Sequence, residues 1–188
     1  MERTRPMLVV VSGPPGAGKS TLAHRLARAI GCPAVCRDEI KEGMVHAAGE
    51  FTAAPGDELT LRTLPVFFGV VEQLLRAGVT TVAEAAFQDK VWRPHLLPLA
   101  GPADIRVVHC QVDAGTAFAR IRRRQGDVPT RRAHDDLSLL APEVHAARHE
   151  GFRRVRIEVP EIEVDTGAGY QPGLDEIVAF LNAARSTA

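Results

Sequence analysis

The chain has 188 residues, 45% of them hydrophobic and 24% charged, which is the composition of an ordinary globular protein of one domain. Lys+Arg and Asp+Glu both number 23, and a formal net charge of +0 argues against broad electrostatic binding to nucleic acid or membranes. The cysteines Cys32, Cys36 and Cys110 lack metal-ligand spacing and indicate buried thiols in a reducing compartment. Because the first apolar run is too short for a signal peptide and no stretch could span a bilayer, we expect a cytoplasmic protein.

The first predicted strand, Met7 to Ser12, is a continuous apolar run typical of a strand buried on both faces of a parallel sheet. It leads into Gly13-Pro14-Pro15-Gly16-Ala17-Gly18-Lys19-Ser20, which matches G-x-x-x-x-G-K-[ST], and a helix through about Ile30 follows. This order predicts a phosphate-binding loop whose backbone N–H groups hold a nucleoside triphosphate. Lys19 would reach the β- and γ-phosphates, and the hydroxyl of Ser20 would bind Mg²⁺.

Strands and helices alternate along the rest of the chain and predict one α/β domain over residues 1–188. Its parallel sheet would have about five strands, with helices on both faces. Region 131–159 has a mixed pattern, with helices expected near Leu137 to Leu140 and Glu143 to Glu150 and a strand over Val155 to Val159. The other predicted strands are Ala34 to Arg37, Val79 to Glu84, Asp104 to Val112 and Glu161 to Asp165. The other predicted helices are Asp38 to about Ala48, a helix over Leu64 to Leu75 that starts or kinks at Pro65, Trp92 to Leu99, a helix capped by Asp113 and ending near Gln125, and Leu174 to Leu181.

Two acidic residues follow predicted strands at the edge of the sheet where ligands bind in such folds. Asp38 is the candidate general base for a substrate hydroxyl, and the neighbouring Arg37 would favour its ionised form. The alternative is that Asp38 only caps its helix. Glu84 is the candidate Mg²⁺ ligand, and its alternative is a surface glutamate at a strand end.

The arginines that follow the fourth predicted strand suggest a lid over residues 120–150 that neutralises charge on the transferring phosphoryl group. Arg120 and Arg124 lie four residues apart on one helix face and are the first choices. A solvated basic face and a nucleic-acid groove are the alternatives, and the groove would lack interleaved aromatic residues. His134 could contact substrate, whereas His145 and His149 lack the glutamate of a zinc-binding H-E-x-x-H motif.

Taken together, these segments resemble the small P-loop kinases that include chloramphenicol phosphotransferase, zeta-toxin-type kinases and the kinase domain of polynucleotide kinase. The resemblance rests on the phosphate loop, Arg37-Asp38-Glu39-Ile40-Lys41, Val82-Ala83-Glu84-Ala85-Ala86-Phe87, the lid arginines and Val164-Asp165-Thr166. It implies a three-layer P-loop kinase fold, ATP and Mg²⁺ as cofactors, and Asp38 as base. It departs at Glu84, where these relatives usually have aspartate. The predicted nucleotide-binding residues are Gly13, Gly16, Ala17, Gly18, Lys19, Ser20 and Thr21, with Asp165 and Thr166 beside the adenine.

The function expected from this resemblance is transfer of the γ-phosphate of ATP to a hydroxyl of a small molecule such as an antibiotic or a sugar-like metabolite. Phe51, Phe67 and Phe68 would give an apolar substrate wall, unless they belong to the core. The alternatives are a 5′-hydroxyl kinase for polynucleotide ends and an ATPase that acts as a switch. Oligomeric state, ATP or GTP preference and the acceptor itself do not follow from the sequence.

Overall fold

A computed structural model describes residues 5–124, 133–134 and 140–183. Its strands form one parallel sheet of five in the order β2-β3-β1-β4-β5. The sheet confirms the predicted α/β fold and puts the strand that precedes the phosphate loop at its centre. The strands are β1 (Met7–Ser12), β2 (Ala34–Cys36), β3 (Thr81–Ala85), β4 (Asp104–Gln111) and β5 (Glu161–Asp165).

The described helices follow the predicted order, with one clear difference at the third. This helix was expected to start or kink at Pro65, but it begins at Glu58 because Asp57 Oδ1 accepts the backbone N–H of Thr60 at 2.7 Å and caps it. Pro65 therefore lies inside the helix. The helices are α1 (Lys19–Ile30), α2 (Arg37–Ala48), α3 (Glu58–Arg76), α4 (Asp89–Leu96, continued by a 3₁₀ turn over Leu97–Ala100), α5 (Ala114–Arg124), α6 (Pro142–Glu150) and α7 (Leu174–Ala183).

The central strand β1 supplies a core to each face of the sheet, because successive strand residues point to opposite sides. Met7, Val9 and Val11 pack with residues of α1 and α7, whereas Leu8 and Val10 pack with residues of α3 and α4. All five side chains are nearly inaccessible to solvent. The result is the three-layer arrangement that the alternating pattern predicts.

Two other expectations need correction. Residues 155–159 form no strand; Val155 is buried in the core as part of an irregular segment. Arg37 belongs to the first turn of α2 and not to β2, so Asp38 lies inside that turn rather than at the end of a strand. Among the described helices, none is both long and apolar enough to cross a bilayer.

Candidate functional site

The phosphate loop lies between β1 and α1 and is packed too closely for side chains at two of its glycines. A Cβ atom on Gly16 would lie 2.6 Å from the carbonyl oxygen of Ala117, and the φ angle of Gly16 is +82°. A Cβ atom on Gly13 would lie 2.4 Å from the carbonyl oxygen of Cys110. Both positions therefore require glycine, because the loop packs directly against the backbone of β4 and α5.

Lys19, Ser20 and Glu84 meet directly beneath this loop. Ser20 Oγ donates a hydrogen bond to Glu84 Oε2 at 3.0 Å, and Lys19 Nζ lies 3.9 Å from Glu84 Oε1. Lys19 Nζ also donates to the carbonyl of Pro14 at 3.0 Å. Glu84 is 3% exposed, so it is not the surface residue that the alternative interpretation described. Burial raises the pKa of Glu84 above its ordinary value despite the nearby Lys19.

Asp38 projects from the first turn of α2 toward the same space. Its Oδ1 accepts a hydrogen bond from Arg37 Nη1 at 3.0 Å. Desolvation acts to raise the pKa of Asp38, but interactions with His134, Arg37 and Lys19 outweigh it and hold this pKa below its ordinary value. The carboxylate is therefore ionised at neutral pH and can accept a hydrogen bond from a bound hydroxyl.

These groups line one cleft of about 590 Å³, which is large enough for a nucleotide and a small acceptor. The structure brings the predicted residues Asp38, Glu84 and Arg124 together here with the end of the phosphate loop. Many of the residues that line the cleft carry charged or polar side chains. The lining residues with polar side chains are Lys19, Ser20, Thr21, Arg37, Asp38, Glu39, Lys41, Glu42, Thr60, Glu84, Arg124, His134 and Arg148.

Two ion pairs beside the cleft were not predicted from the sequence. Lys41 is 3% exposed, and its Nζ donates to Asp57 Oδ2 at 2.7 Å. Glu42 Oε1 lies 3.0 Å from Nε2 of the largely buried His134. The available signal was helical spacing, because Lys41 and Glu42 follow Asp38 by three and four residues and so share its helix face.

Arg120 and Thr166 lie against the loop at a different place from Asp38. Thr166 is 4% exposed, and its hydroxyl donates to the carbonyl of Ala17 at 3.0 Å. Arg120 Nη1 donates to Thr166 Oγ1 at 3.2 Å, and Arg120 Nη2 donates to the carbonyl of Gly167 at 3.1 Å. Asp165 Oδ1 accepts the N–H of Gly167 at 2.6 Å. These bonds tie the β5–α7 loop to the phosphate loop and occupy much of the guanidinium of Arg120.

The remaining predicted site residues are only partly covered by the structure. Arg124 lines the cleft, and its Nε donates to the carbonyl of Arg120 at 3.3 Å. Arg131 and Arg132 of the predicted lid lie outside the described residues, as does most of the helix predicted over 137–140. Phe67 and Phe68 are buried in the core against Trp92, so they do not form the suggested substrate wall.

The sequence of residues 8–142 matches the family model described as an AAA domain. The chain belongs to this family. The chain's fold is that of a small P-loop kinase, as the resemblance predicted.

The curated proteins whose sequences are similar to this chain have different named activities. The chain is 42% identical to a shikimate kinase of Corynebacterium efficiens over 83 residues, 44% of this chain and 47% of the relative. It is 28% identical to a tRNA dimethylallyltransferase 1 of Citrifermentans bemidjiense over 167 residues, 85% of this chain and 54% of the relative. The chain thus spans about half the length of these curated relatives.

Two solved structures cover almost the whole chain. A candidate kinase from Chloroflexus aurantiacus j-10-fl superposes with a TM-score of 0.82 at 22% identity, covering 96% of this chain and 98% of that one. A sugar kinase from Janibacter sp. HTCC2649 superposes with a TM-score of 0.67 at 19% identity, covering 98% and 99%. At these identities the likeness shows the fold alone, and the fold does not determine the reaction.

Proposed function

We propose that this protein is an ATP-dependent kinase that transfers the γ-phosphate to a hydroxyl group of a small polar molecule, with Asp38 as general base. The observation that carries this proposal is the position of Asp38 in the same cleft as Lys19 and Ser20, with a pKa below its ordinary value. A phosphate loop alone serves many reactions, but an ionised carboxylate on the far side of the phosphates is what an attacking hydroxyl needs.

The residues around Glu84 fit a bound Mg²⁺. Ser20 and Glu84 supply the hydroxyl and carboxylate oxygens that this hard cation prefers, and they are already in contact. Burial raises the pKa of Glu84, and a dication beside it would favour the ionised carboxylate. Held by Ser20 and Glu84, Mg²⁺ would neutralise negative charge on the phosphates during transfer.

Each of this chain's own residues then has a defined task. The backbone N–H groups of residues 16–20 and the start of α1 would bind the phosphates, and Lys19 would add a positive charge beside them. Arg124, which lines the cleft, is our choice for neutralising charge on the transferring group. Arg120, held by the carbonyl of Gly167 and the hydroxyl of Thr166, would instead fix the loop predicted to flank the adenine.

The acceptor side of the cleft favours a polar molecule that carries an acidic group beside its hydroxyl. Arg37 lines the cleft, and its Nη1 donates to Asp38 Oδ1. A guanidinium group at this position can also pair with a carboxylate or phosphate of the acceptor. This charge pattern supports a sugar-like metabolite over an apolar antibiotic.

The same experiment distinguishes this proposal from two alternative functions. Arg122 and Arg123 are exposed at the end of α5, and a basic surface there would suit a 5′-hydroxyl kinase acting on polynucleotide ends. The likeness to a tRNA dimethylallyltransferase also points toward RNA, although that name describes a different transferred group. An ATPase switch would hydrolyse ATP with no acceptor at all.

The test is ADP release from ATP and Mg²⁺ with a panel of sugars, sugar acids, cyclic hydroxy acids, hydroxyl-bearing antibiotics, nucleosides and 5′-hydroxyl oligonucleotides. Lys19→Met serves as the blank and Lys90→Met, an exposed lysine on α4, as the matched control. We expect acceptor-dependent turnover with an acidic sugar or hydroxy acid in the wild type and in Lys90→Met only. Turnover with oligonucleotides alone would support the end kinase, and acceptor-independent hydrolysis would support the switch.

A further inference from the structure

A second cluster of metal-ligand side chains lies where α1, β2 and α2 meet, beside the nucleotide cleft. His24 is in the second turn of α1, Cys36 is the last residue of β2, and Glu39 is in the first turn of α2. One ligand atom from each lies within 4.8 Å of the other two. We propose that His24, Cys36 and Glu39 form a binding site for Zn²⁺ with a ligand set different from the predicted Mg²⁺ ligands Ser20 and Glu84.

The distances suit tetrahedral coordination by nitrogen, sulfur and oxygen. Zn–S bonds of about 2.3 Å and Zn–N or Zn–O bonds of about 2.0 Å place sulfur about 3.5 Å from nitrogen and nitrogen about 3.3 Å from oxygen. Cys36 Sγ lies 3.7 Å from His24 Nε2, and Glu39 Oε1 lies 2.6 Å from the same nitrogen. The metal would take the place of the hydrogen bond between His24 and Glu39, and those two atoms would separate by several tenths of an ångström.

The surroundings of the three side chains favour a cation over an empty cluster. The thiol of Cys36 is buried and interacts with Glu84, Glu39 and Asp38, so negative charge gathers around it. His24 and Glu39 are each about half exposed, which leaves a fourth coordination position open to water. A thiol ligand selects Zn²⁺ over Mg²⁺, because Mg²⁺ prefers oxygen.

The position of the site gives it a consequence for the nucleotide cleft. Glu39 also lines that cleft, and its carboxylate already contacts His24, so bound Zn²⁺ would hold the carboxylate there and keep it from contacting a substrate. The three ligands come from α1, β2 and α2, whose backbones are fixed by the core, and metal binding would release the proton of the Cys36 thiol to solvent. The sequence spacing of the cysteines gave no hint of this site because only one of its ligands is a cysteine.

The test is titration of the full chain with Zn²⁺ against a chromogenic chelator, and with Co²⁺ followed by its visible and thiolate charge-transfer absorption. We expect one Zn²⁺ per chain, with His24→Asn and Glu39→Gln weakening binding at least about tenfold, the scale at which even outer-shell partners act. Cys36→Ser should abolish the charge-transfer band. No nucleotide is present, so the result is independent of the proposed kinase activity.

Matched controls separate this site from other histidines and thiols. Cys32→Ser removes a neighbouring, partly exposed thiol, and His149→Asn removes a histidine that lies near His145 on α6; both should leave binding unchanged. Because His24 and Glu39 are half exposed, their variants should keep the fold, which circular dichroism checks. Absence of stoichiometric Zn²⁺ binding would overturn the proposal, as would affinity unaffected by His24→Asn and Glu39→Gln or lost in His149→Asn.

Discussion

The two halves of the cleft are built in different ways. The nucleotide half consists of β1, the phosphate loop, the start of α1 and Glu84 on the adjacent strand β3, and its contacts depend on backbone geometry and one short motif. The acceptor half consists of α2, residues 49–57 and the described residues between 120 and 150. It depends on side chains brought from distant positions, such as Glu42 and His134, which are 92 residues apart.

This difference explains what each half can specify. The nucleotide half needs glycine at positions 13 and 16, where the chain closely approaches other backbone atoms. Few other residues can replace them, so this half specifies one of the two substrates, the nucleoside triphosphate. The acceptor half is a set of ion pairs on a helix face, and changing one residue there would change which molecule fits. The identity of the acceptor is therefore determined by the acceptor half, which short sequence motifs do not describe.

The largest expected effect is in the nucleotide half. Lys19→Met should lower acceptor-dependent ADP release about 10³-fold, because one positive charge positioned on a transferring group commonly contributes 10²-fold or more. Steady-state turnover of the variant and of Lys90→Met measures this directly. A thermal melt checks folding, since Lys19 is 7% exposed and faces Glu84. Turnover within tenfold of wild type would contradict the assigned role of Lys19.

In the acceptor half, the expected effect is on stability. Asp57→Asn should lower the free energy of unfolding by about 3 kcal/mol, because it leaves the buried Lys41 without its counter-ion while asparagine still caps α3. Urea titration compares this variant with wild type and with Lys41→Met/Asp57→Asn, which should recover part of the loss. A change below about 0.5 kcal/mol would show that the pair does not hold the acceptor half together.

The pair Lys41–Asp57 also predicts a pH dependence. Desolvation acts to raise the pKa of Asp57, but the interactions of its carboxylate with Lys41 and with the N–H of Thr60 outweigh desolvation and hold this pKa below its ordinary value. A carboxyl group whose pKa is lower in the folded state stabilises the fold at pH values above its pKa in the unfolded state. This stabilisation is lost as the pH falls through the pKa of the folded state. Unfolding free energy measured from pH 7 downward should therefore decrease less steeply in Asp57→Asn than in wild type.

A smaller effect of opposite sign is expected at Glu84. Because burial raises the pKa of Glu84, the folded state favours its protonated form. The protein therefore loses stability as the pH rises from the ordinary pKa of glutamate through the raised pKa of Glu84. Glu84→Gln should thus stabilise the nucleotide-free protein at pH 7 on the order of 1 kcal/mol while weakening Mg²⁺-dependent nucleotide binding. Urea titration and ATP affinity with and without Mg²⁺ test this against the exposed Glu158→Gln.

The sequence predicted the sheet and the phosphate loop, because each follows from a strand pattern or a motif. It also predicted that Asp38, Ser20 and Glu84 lie at one edge of the sheet, although Asp38 reaches that edge from the first turn of α2 and not from the end of a strand. It missed the cap at Asp57, which starts α3 well before Pro65, and it assigned a strand over 155–159, where alternation reflects a buried irregular segment. Pairs such as Lys41–Asp57 depend on how separate elements pack. Local patterns carry no information about such packing.

The central claim is that Asp38 acts on the acceptor hydroxyl and not on nucleotide binding. The measurement is ATP affinity and acceptor-dependent ADP release for wild type, Asp38→Asn and the control Asp175→Asn, an exposed residue at the start of α7. We predict that Asp38→Asn keeps ATP affinity within a few-fold and loses turnover by about 10²-fold or more, the range of general-base catalysis, while Asp175→Asn matches wild type. Unchanged turnover in Asp38→Asn, or equal losses of affinity and turnover, would contradict the account.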